Sequence, residues 1–288
     1  MNQIFLQALN GLMVGSSLAL VASGLALQFG VMDIINFAQG DFYMVGGYVL
    51  WLTMSRTNNF VLSVIAATVI VGVLGGGLLM AMAMPLLEKA QVLVLLATLG
   101  LSLILEQLAT NIWGGTTQLV PPPLVGTVVH IGSFIYPIYD LIIIGSAAVV
   151  LLLSFLGLQF TKYGVWLRGV AQNRGMAAAL GVPVTRVYVV AFVVSIGLAA
   201  LAGALLTPIT SVYPTVGGDV ILNAFIIVVA GGLGNFKGAA AISVLIGEVI
   251  SLGSIWVNPV AVQIALFGLV IVLLIARTRR GAGSVARI

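Results

Sequence analysis

Long apolar runs, separated by short polar connections, dominate the pattern of this chain. The runs cover residues 4–30, 42–55, 60–84, 91–112, 138–158, 187–207, 219–233, 239–254 and 259–276. A membrane helix needs roughly 20 apolar residues to cross the hydrocarbon of a bilayer, so the chain has room for about eight crossings. We predict an all-α polytopic membrane protein, formed as a single transmembrane domain over residues 1–288.

Three segments are poor matches to a simple crossing. Residues 33–41 bring two carboxylates, an Asn and a Gln beside the apolar run that follows. Residues 219–233 and 239–254 are short, and they flank a glycine-containing turn at 234–238. Short or glycine-broken segments, one in each half of a chain, are typical of discontinuous helices that line a transport path. Cytoplasmic turns between tilted helices would give the same pattern, so hydropathy leaves both interpretations open.

The cations are clustered, and their positions predict the orientation. Residues 159–186 hold four Lys or Arg and no acid, and residues 277–287 hold four more of the eleven in the chain. Cytoplasmic loops are enriched in Lys and Arg, so both segments are predicted to be cytoplasmic. The number of crossings between them is then even. Four full crossings satisfy this, as do two crossings plus a re-entrant hairpin over 219–254; the side of the N-terminus stays open.

The composition excludes several kinds of chemistry. There is no cysteine, and the single histidine, His130, falls in a predicted external loop without a neighbouring acid, so neither a thiol site nor a Ser/His/Asp triad is expected. The one glycine-rich segment with a lysine, 231–238, lacks the Ser or Thr that follows the lysine of a P-loop. We therefore predict no enzymatic activity and no cofactor in this chain. Energy for transport must come from a partner or from an ion gradient.

Residues 164–183 predict a short helix that lies along the membrane surface. Leu167, Val170, Ala177 and Leu180 can share one face of such a helix, and Gly181 followed by Pro183 is a helix stop. On these residues alone, a cationic anchor on the cytoplasmic side is the simpler interpretation.

Three ordered stretches resemble the permease subunits of branched-chain (hydrophobic) amino-acid ABC importers. Residues 164–187 are similar to the family's cytoplasmic loop, Arg-x-Val-x-Gln-Asn-Arg-x-Met-Ala-x-x-Leu-Gly-Ile. Residues 36–44 resemble Asn-Phe-Ala-His-Gly-Glu-Phe-Tyr-Met, and residues 229–235 resemble Val-Leu-Gly-Gly-Leu-Gly-Ser. Gln39 stands where the family often has His, and Asp41 where Glu is common. The substrate therefore stays open, because permeases for urea and short amides look much alike.

The resemblance implies partners and a bacterial inner-membrane location. In that family the loop, here residues 159–186, carries a coupling helix that docks on separate ATP-binding subunits, which bind ATP and Mg. A second permease subunit, identical or homologous, and a periplasmic substrate-binding protein complete the importer. The residues that match the loop pattern, and so are expected to couple to the ATPase, are Arg168, Gln172, Asn173, Arg174, Ala177, Ala178, Leu180 and Gly181.

The broken segments and one intramembrane acid supply the expected translocation path. The path residues that we predict are Asn36, Gln39, Asp41, Glu106, Gly231, Gly232 and Asn235. An ionisable group within the bilayer costs several kcal/mol and suggests a function. Glu106 and Glu248 each fit a path contact or a structural hydrogen bond between helices. A proton- or sodium-coupled carrier would use such carboxylates directly, which makes it the alternative to an ATP-driven importer.

Overall fold

A computed structural model describes residues 2–86, 91–121, 123, 127–131, 134–258, 260–269 and 272. The C-terminal cations at 277–287, and Glu88 and Lys89, lie outside the described residues, and so does the side chain of His130. The described part of the chain is helical, with one antiparallel β-hairpin.

The elements follow the predicted apolar runs closely. The helices are α1 (Asn2–Met32), α2 (Gln39–Thr57), α3 (Phe60–Ala83), α4 (Gln91–Trp113), α5 (Ile138–Phe160), α6 (Lys162–Gln172), α7 (Arg174–Ala179), α8 (Val184–Thr210), α9 (Val216–Gly231), α10 (Phe236–Gly253) and α11 (Val260–Leu269). A 3₁₀ turn, Met84–Leu86, follows α3. The hairpin pairs β1 (Val128–Ile131) with β2 (Phe134–Pro137), His130 opposite Ile135.

Six helices of the described part are long and apolar enough to cross a membrane. They are Ile4–Met32, Phe60–Leu86, Gln91–Trp113, Ile138–Phe160, Val184–Thr210 and Phe236–Gly253. The all-α, polytopic membrane class is therefore confirmed. The predicted count of eight is not confirmed, because α9 and α11 are shorter apolar helices.

Helix α8 lies at the centre of the bundle, packed against α1, α2 and α3. In its most apolar stretch 67% of the residues are buried, against 11% in α5, which is peripheral. Glycines lie where the helices approach closely: Gly11 and Gly15 of α1 face α10, Gly72 and Gly76 of α3 face α8, and Gly203 of α8 faces α2. Small residues allow this approach in lipid, where apolar surface alone gives no drive for association.

The bundle has two distinct ends. The loop-helix end carries α6 and α7, and the hairpin end carries β1 and β2. Helix α1 runs from the hairpin end, where Asn10 Oδ1 accepts a hydrogen bond from the Tyr136 hydroxyl at 3.1 Å, to the loop-helix end, where Gly30 contacts Gly234. If the cationic loop is cytoplasmic, as its Lys and Arg residues predict, the N-terminal end of α1 is predicted to be external.

Helices α9 and α10 reach the loop-helix end rather than turning back inside the bundle. Their connection contacts Gly30 at the end of α1, and Gly231 packs directly on Gly238. Helix α10 then runs to the hairpin end, where Ser251 Oγ donates a hydrogen bond to Gln7 Oε1 at 2.8 Å. The structure therefore shows no re-entrant hairpin over 219–254, and α8, α9 and α10 agree with the four-crossing alternative. Helix α11 is described only over Val260–Leu269, which is too short to establish the fourth crossing.

Candidate functional site

A cluster of four buried polar side chains, the central polar cluster, lies within the bundle: Gln28, Asn36, Gln39 and Ser195. Gln39 begins α2 and joins the other three. Its Oε1 accepts hydrogen bonds from Gln28 Nε2 at 3.2 Å and Asn36 Nδ2 at 3.4 Å. Its Nε2 donates to the Ser195 carbonyl at 3.0 Å and the Ser195 hydroxyl at 3.2 Å. The cluster ties α1, α2 and α8 together.

Gln39 reaches this depth because the chain turns back into the bundle after α1. Residues 33–38 form this re-entrant segment, which starts at Asp33 with a left-handed φ of 53°. Asn36 Oδ1 accepts a hydrogen bond from the Ala38 amide at 3.1 Å, and the Phe37 amide donates to Thr98 Oγ1 of α4 at 3.3 Å. The sequence left open whether residues 31–41 form a cytoplasmic turn or part of a discontinuous helix. The structure has a largely buried break before α2, not an ordinary surface loop.

The starts of α2 and α9 meet beside this cluster. A methyl group at Gly40 would collide with the carbonyl oxygen of Gly217, and one at Gly217 would lie 2.6 Å from Asp41 Oδ1. The N-terminus of a helix carries a partial positive charge, which favours a carboxylate in the first turn. Asp41 occupies that position in α2 and is buried. Two interrupted helices thus start at one point inside the bundle.

Asp41 connects the interior to a half-buried face of α4. Its carboxylate is within reach of the Ser102 hydroxyl and interacts electrostatically with Glu106. Ser102 and Glu106 are four residues apart, so they lie on the same side of α4, and both are half-buried. The structure therefore brings together two of the predicted path acids, Asp41 and Glu106. Glu248 lies elsewhere, packed against Gly11 of α1.

The second predicted path region lies apart from the first. Gly232 and Gly234 have φ values of 98° and 77°, and Asn235 Oδ1 accepts the Gly238 amide at 3.0 Å as the cap of α10. Gly231, Gly232 and Asn235 thus form the tight α9–α10 connection at the loop-helix end. They are not brought together with Asn36, Gln39 and Asp41, and their place in a path stays a prediction.

The predicted surface helix consists of two helices, α6 and α7, which we name the crosspiece. Asn173 separates them, with extended backbone (φ −158°, ψ 102°), and its Oδ1 caps α7 by accepting the Met176 amide at 2.9 Å. The prediction of one continuous helix is therefore wrong. The helix stop is confirmed, because Gly181 has a φ of 81° and the Val182 amide donates back to the Ala177 carbonyl at 3.0 Å.

The break also changes which residues face the bundle. Val170 and Ala177 are buried, but Leu180 is 78% exposed, so the predicted common face is wrong at Leu180. Of the eight predicted coupling residues, all except Ala177 are exposed in the single chain: Arg168, Gln172, Asn173, Arg174, Ala178, Leu180 and Gly181. The crosspiece thus presents a polar, cationic surface that also exposes large apolar side chains, Leu180 and Met176 the most.

The crosspiece contacts α8 through one aromatic side chain that lies within electrostatic range of the re-entrant segment. The Arg174 guanidinium lies 5.7 Å from the ring centroid of Tyr188, in the second turn of α8. Tyr188 is buried and interacts electrostatically with Arg174 and Asp33. Sequence reasoning missed Tyr188, Asp33, Gln28 and Ser195 as participants. The signal for Gln28 and Ser195 was available, since each is a polar residue within a long apolar run.

The polar groups in and around the central polar cluster are suited to hydrogen bonding. Among the described residues, no three His, Cys, Asp or Glu side chains come together in a way that could hold a metal ion. The polar groups are amides, hydroxyls and two carboxylates. Such groups can hydrogen-bond a small polar solute and can change partners when helices move.

Comparison with known proteins identifies the family. A family model described as "Branched-chain amino acid transport system / permease component" matches residues 7–275. The chain is 27% identical to the high-affinity branched-chain amino acid transport system permease protein LivH of Salmonella typhimurium, over 93% of this chain and 92% of that protein. It is 26% identical to BraD of Pseudomonas aeruginosa, over 94% and 93%. No solved structure gave a significant match. The chain therefore belongs to the family of permease components of branched-chain amino acid transport systems.

Proposed function

We propose that this chain is the membrane-spanning permease subunit of an ATP-driven ABC importer in a bacterial inner membrane. The substrates are branched-chain or other hydrophobic amino acids, delivered from outside by a periplasmic binding protein. Two ATP-binding subunits lie beneath the crosspiece and bind ATP and Mg, and a second permease subunit completes the path. The observation that carries the proposal is the contact of an exposed cationic crosspiece with the central helix α8, through Arg174 and Tyr188.

The crosspiece is suited to docking on a soluble partner. Its cations and the side chain of Leu180 extend from the loop-helix end, while Val170 and Ala177 anchor it to the bundle. A buried apolar contact surrounded by charged groups is the usual anatomy of a protein interface. ATP hydrolysis takes place in the partner, and this chain carries out no bond chemistry.

A displacement of α7 has a short route to the central polar cluster. Arg174 contacts Tyr188 of α8, and Tyr188 is within electrostatic range of Asp33 at the start of the re-entrant segment. Three residues further on, Asn36 donates to Gln39, which also bonds Ser195 of α8. Closure of the ATPase subunits moves α7, and this motion changes how α2 is held against α8. Alternating access then consists of a change between two arrangements of α2 against α8.

The path itself runs beside α4, at Asp41 and Glu106. An amino acid carries an ammonium and a carboxylate group, and carboxylates such as these can bind the ammonium group. Because Ser102 and Glu106 are half-buried in the single chain, this face of α4 is where the second permease subunit closes the path. Gly231, Gly232 and Asn235 border the cytoplasmic exit.

Reconstituted transport tests the proposal. The permease is purified with its copurifying subunits and placed in liposomes with the binding protein outside and ATP inside. We expect leucine uptake that requires ATP and is insensitive to an uncoupler. Uptake that an uncoupler abolishes, and that continues without any ATPase subunit, would support an ion-coupled carrier instead.

The ion-coupled carrier is retained as a second candidate because of one observation. Asp41 inside the bundle interacts electrostatically with Glu106 on the half-buried face of α4, and pairs of carboxylates are used as proton relays in carriers. A third candidate, an ABC permease for urea or short amides, is distinguished by the substrate. Competition of leucine uptake by urea or acetamide, but not by valine or isoleucine, would favour it.

A further inference from the structure

Two adjoining cavities at the loop-helix end lie apart from the central polar cluster. The larger has a volume of about 400 Å³ and is apolar, with walls from α5, α6 and α8 that include Leu153, Leu167, Val190 and Val194. The smaller has a volume of about 250 Å³, and Arg168 and Lys237 are among its lining residues.

The two cavities form one continuous groove. Leu27, Leu158, Gly164, Leu167 and Phe236 line both of them. Val190 and Val194 are six and ten residues beyond the start of α8, which places the apolar part roughly 9–15 Å from that helix end. That depth corresponds to the cytoplasmic leaflet. The groove thus leads from a cationic opening at the loop-helix end into the hydrocarbon.

The two cations at the opening are held in place by neighbouring groups. Lys237 Nζ lies 4.4 Å from the ring centroid of Phe155. Arg168 donates hydrogen bonds to the Leu158 carbonyl and, at 3.5 Å, to the Gln159 carbonyl at the end of α5. A guanidinium has five N–H donors, so Arg168 retains capacity for an anion. Among the described residues that line the two cavities, none is Asp or Glu.

The start of α10 adds to the positive character of this opening. Phe236 and Lys237 are its first two residues, and Asn235 caps it by accepting the Gly238 amide. Amides in the first turn of a helix have no acceptor within the helix and attract anions. The opening therefore combines two side-chain cations with a helix N-terminus, directly above an apolar groove.

We infer that this groove binds an anionic phospholipid of the cytoplasmic leaflet. The phosphate binds between Arg168 and Lys237, and one acyl chain occupies the apolar groove along Val190 and Val194. Basic pockets between transmembrane helices on the cytoplasmic side are typical sites for anionic lipid headgroups. A water-soluble anion would satisfy the two cations but would leave the apolar groove unfilled. The bound lipid joins α5, α6, α8 and α10 beside the crosspiece.

Lipid retention on the purified permease complex tests the headgroup site. The complex is incubated with phosphatidylglycerol or with phosphatidylcholine of the same acyl chains, and bound lipid is counted by native mass spectrometry. We expect retention of phosphatidylglycerol over phosphatidylcholine. Removal of one charge near a membrane surface costs about fivefold in affinity, so Lys237→Gln should lose about fivefold and Lys237→Gln with Arg168→Gln more than tenfold.

Lys162→Gln is the matched control for charge. Lys162 is an exposed cation of the same crosspiece, but its Nζ lies over the rings of Tyr163 and Trp166, at 5.6 and 5.9 Å, and it lines neither cavity. Retention of phosphatidylglycerol should be unchanged in this variant. An equal loss of phosphatidylglycerol in Lys162→Gln would show that the lipid is held by general electrostatic attraction to the cationic surface, and would overturn the proposed site.

A matched pair of valine variants tests whether the apolar part of the groove binds the acyl chain. Val194 lines the groove and is 38% exposed, whereas Val189 is 37% exposed and lines neither cavity. Val194→Trp should fill the groove and reduce phosphatidylglycerol retention, and Val189→Trp should not. Equal retention in both variants would overturn the acyl assignment.

Two further outcomes would contradict a lipid site. Glycerol phosphate, which has the headgroup charge but no acyl chain, should not displace the lipid at millimolar concentration; full displacement would indicate a site for a soluble anion. Loss of the ATPase subunits from Lys237→Gln, with phosphatidylglycerol still bound, would assign the cations to protein docking. Lipid retention is measured without transport, so failure of the ATP-driven mechanism would leave it unaffected.

Discussion

Gln39 Nε2 donates hydrogen bonds to both the carbonyl and the hydroxyl of Ser195, at 3.0 and 3.2 Å, although 156 residues separate the two in sequence. This contact holds the start of α2 at the middle of α8. It also fixes the end of the re-entrant segment, because Asn36 donates to the same Gln39 side chain. The geometry of the interrupted region therefore depends on one amide side chain.

Replacement of Gln39 by Leu should destabilise the fold as well as stop transport. The change leaves Gln28, Asn36 and Ser195 without their partner in the apolar interior, at a cost of about 2 kcal/mol or more. The midpoint of thermal unfolding in detergent should fall. Gln107→Leu is the control, because Gln107 is exposed on α4 and its Nε2 donates a hydrogen bond to Asn111 Oδ1 of the same helix at 2.9 Å. An unchanged midpoint in Gln39→Leu would contradict a structural role for the central polar cluster.

Asn36→Leu should reduce flux with a smaller effect on assembly. Asn36 makes one side-chain bond to Gln39 at 3.4 Å and accepts the Ala38 amide at 3.1 Å, so its loss loosens the turn without removing the Gln39–Ser195 contact. Uptake of leucine in proteoliposomes measures the effect, with membrane insertion checked in parallel. Normal uptake would remove the re-entrant segment from the path.

Arg174→Glu should weaken coupling to the ATPase while membrane insertion stays normal, because the changed side chain is exposed on the crosspiece. We expect lower recovery of ATPase subunits or a loss of the transport-linked ATPase rate. Lys162→Glu, an equal change of charge on α6, should have the smaller effect.

Tyr188→Phe should retain the contact with Arg174, because a Phe ring also binds cations, whereas Tyr188→Leu should not. Equal behaviour of these two Tyr188 variants would argue against the aromatic contact.

Adjacent glycines at the start of α9 give a sharp test of how α2 and α9 meet. A methyl group at Gly217 would lie 2.6 Å from Asp41 Oδ1 and 2.9 Å from the Asp41 amide, whereas Gly218 has nothing within 4 Å. Gly217→Ala should lower the midpoint of thermal unfolding and the yield of folded protein. Gly218→Ala should be neutral or stabilising by up to about 1 kcal/mol, because Ala favours a helix over Gly. The reverse order would contradict the meeting of the two helix starts.

Neutral isosteric substitutions distinguish the role of Glu106 from that of Glu248. Glu106→Gln should lower the rate of leucine uptake, because Glu106 acts together with Asp41 at the half-buried face of α4. Glu248→Gln should have little effect, because Glu248 packs against Gly11 between α1 and α10. Equal loss in both variants would indicate a role in assembly rather than in the path.

The sequence predicted the elements more successfully than the contacts between them. Apolar runs predicted the long helices, and the polar stretch at 31–41 predicted an interruption, since burying polar groups in lipid requires a special arrangement. The break at Asn173 was missed because an Asn within a helix and an Asn that caps one differ in backbone angles, not in local sequence. The partners of Gln39 could not be predicted, because they come from α1 and α8 and depend on how those helices pack.

Glycine-rich segments were the least informative part of the sequence. Residues 231–235 were assigned to the path by their resemblance and their short flanking helices. In the structure Gly232 and Gly234 provide positive φ angles, and Gly231 provides room for Gly238. A tight turn thus explains these glycines without a substrate contact.

A site-directed crosslink tests most directly whether the crosspiece is the surface on which the ATPase docks. The chain has no cysteine, so a single introduced cysteine gives a unique position. Leu180 on the crosspiece and Leu119 near the hairpin end are exposed to the same extent, 78% and 77%. We predict that Leu180→Cys forms a crosslink to an ATP-binding subunit that changes with bound ATP, and that Leu119→Cys forms none. A crosslink from Leu119→Cys alone, or labelling of Leu180→Cys from outside the cell, would contradict the account.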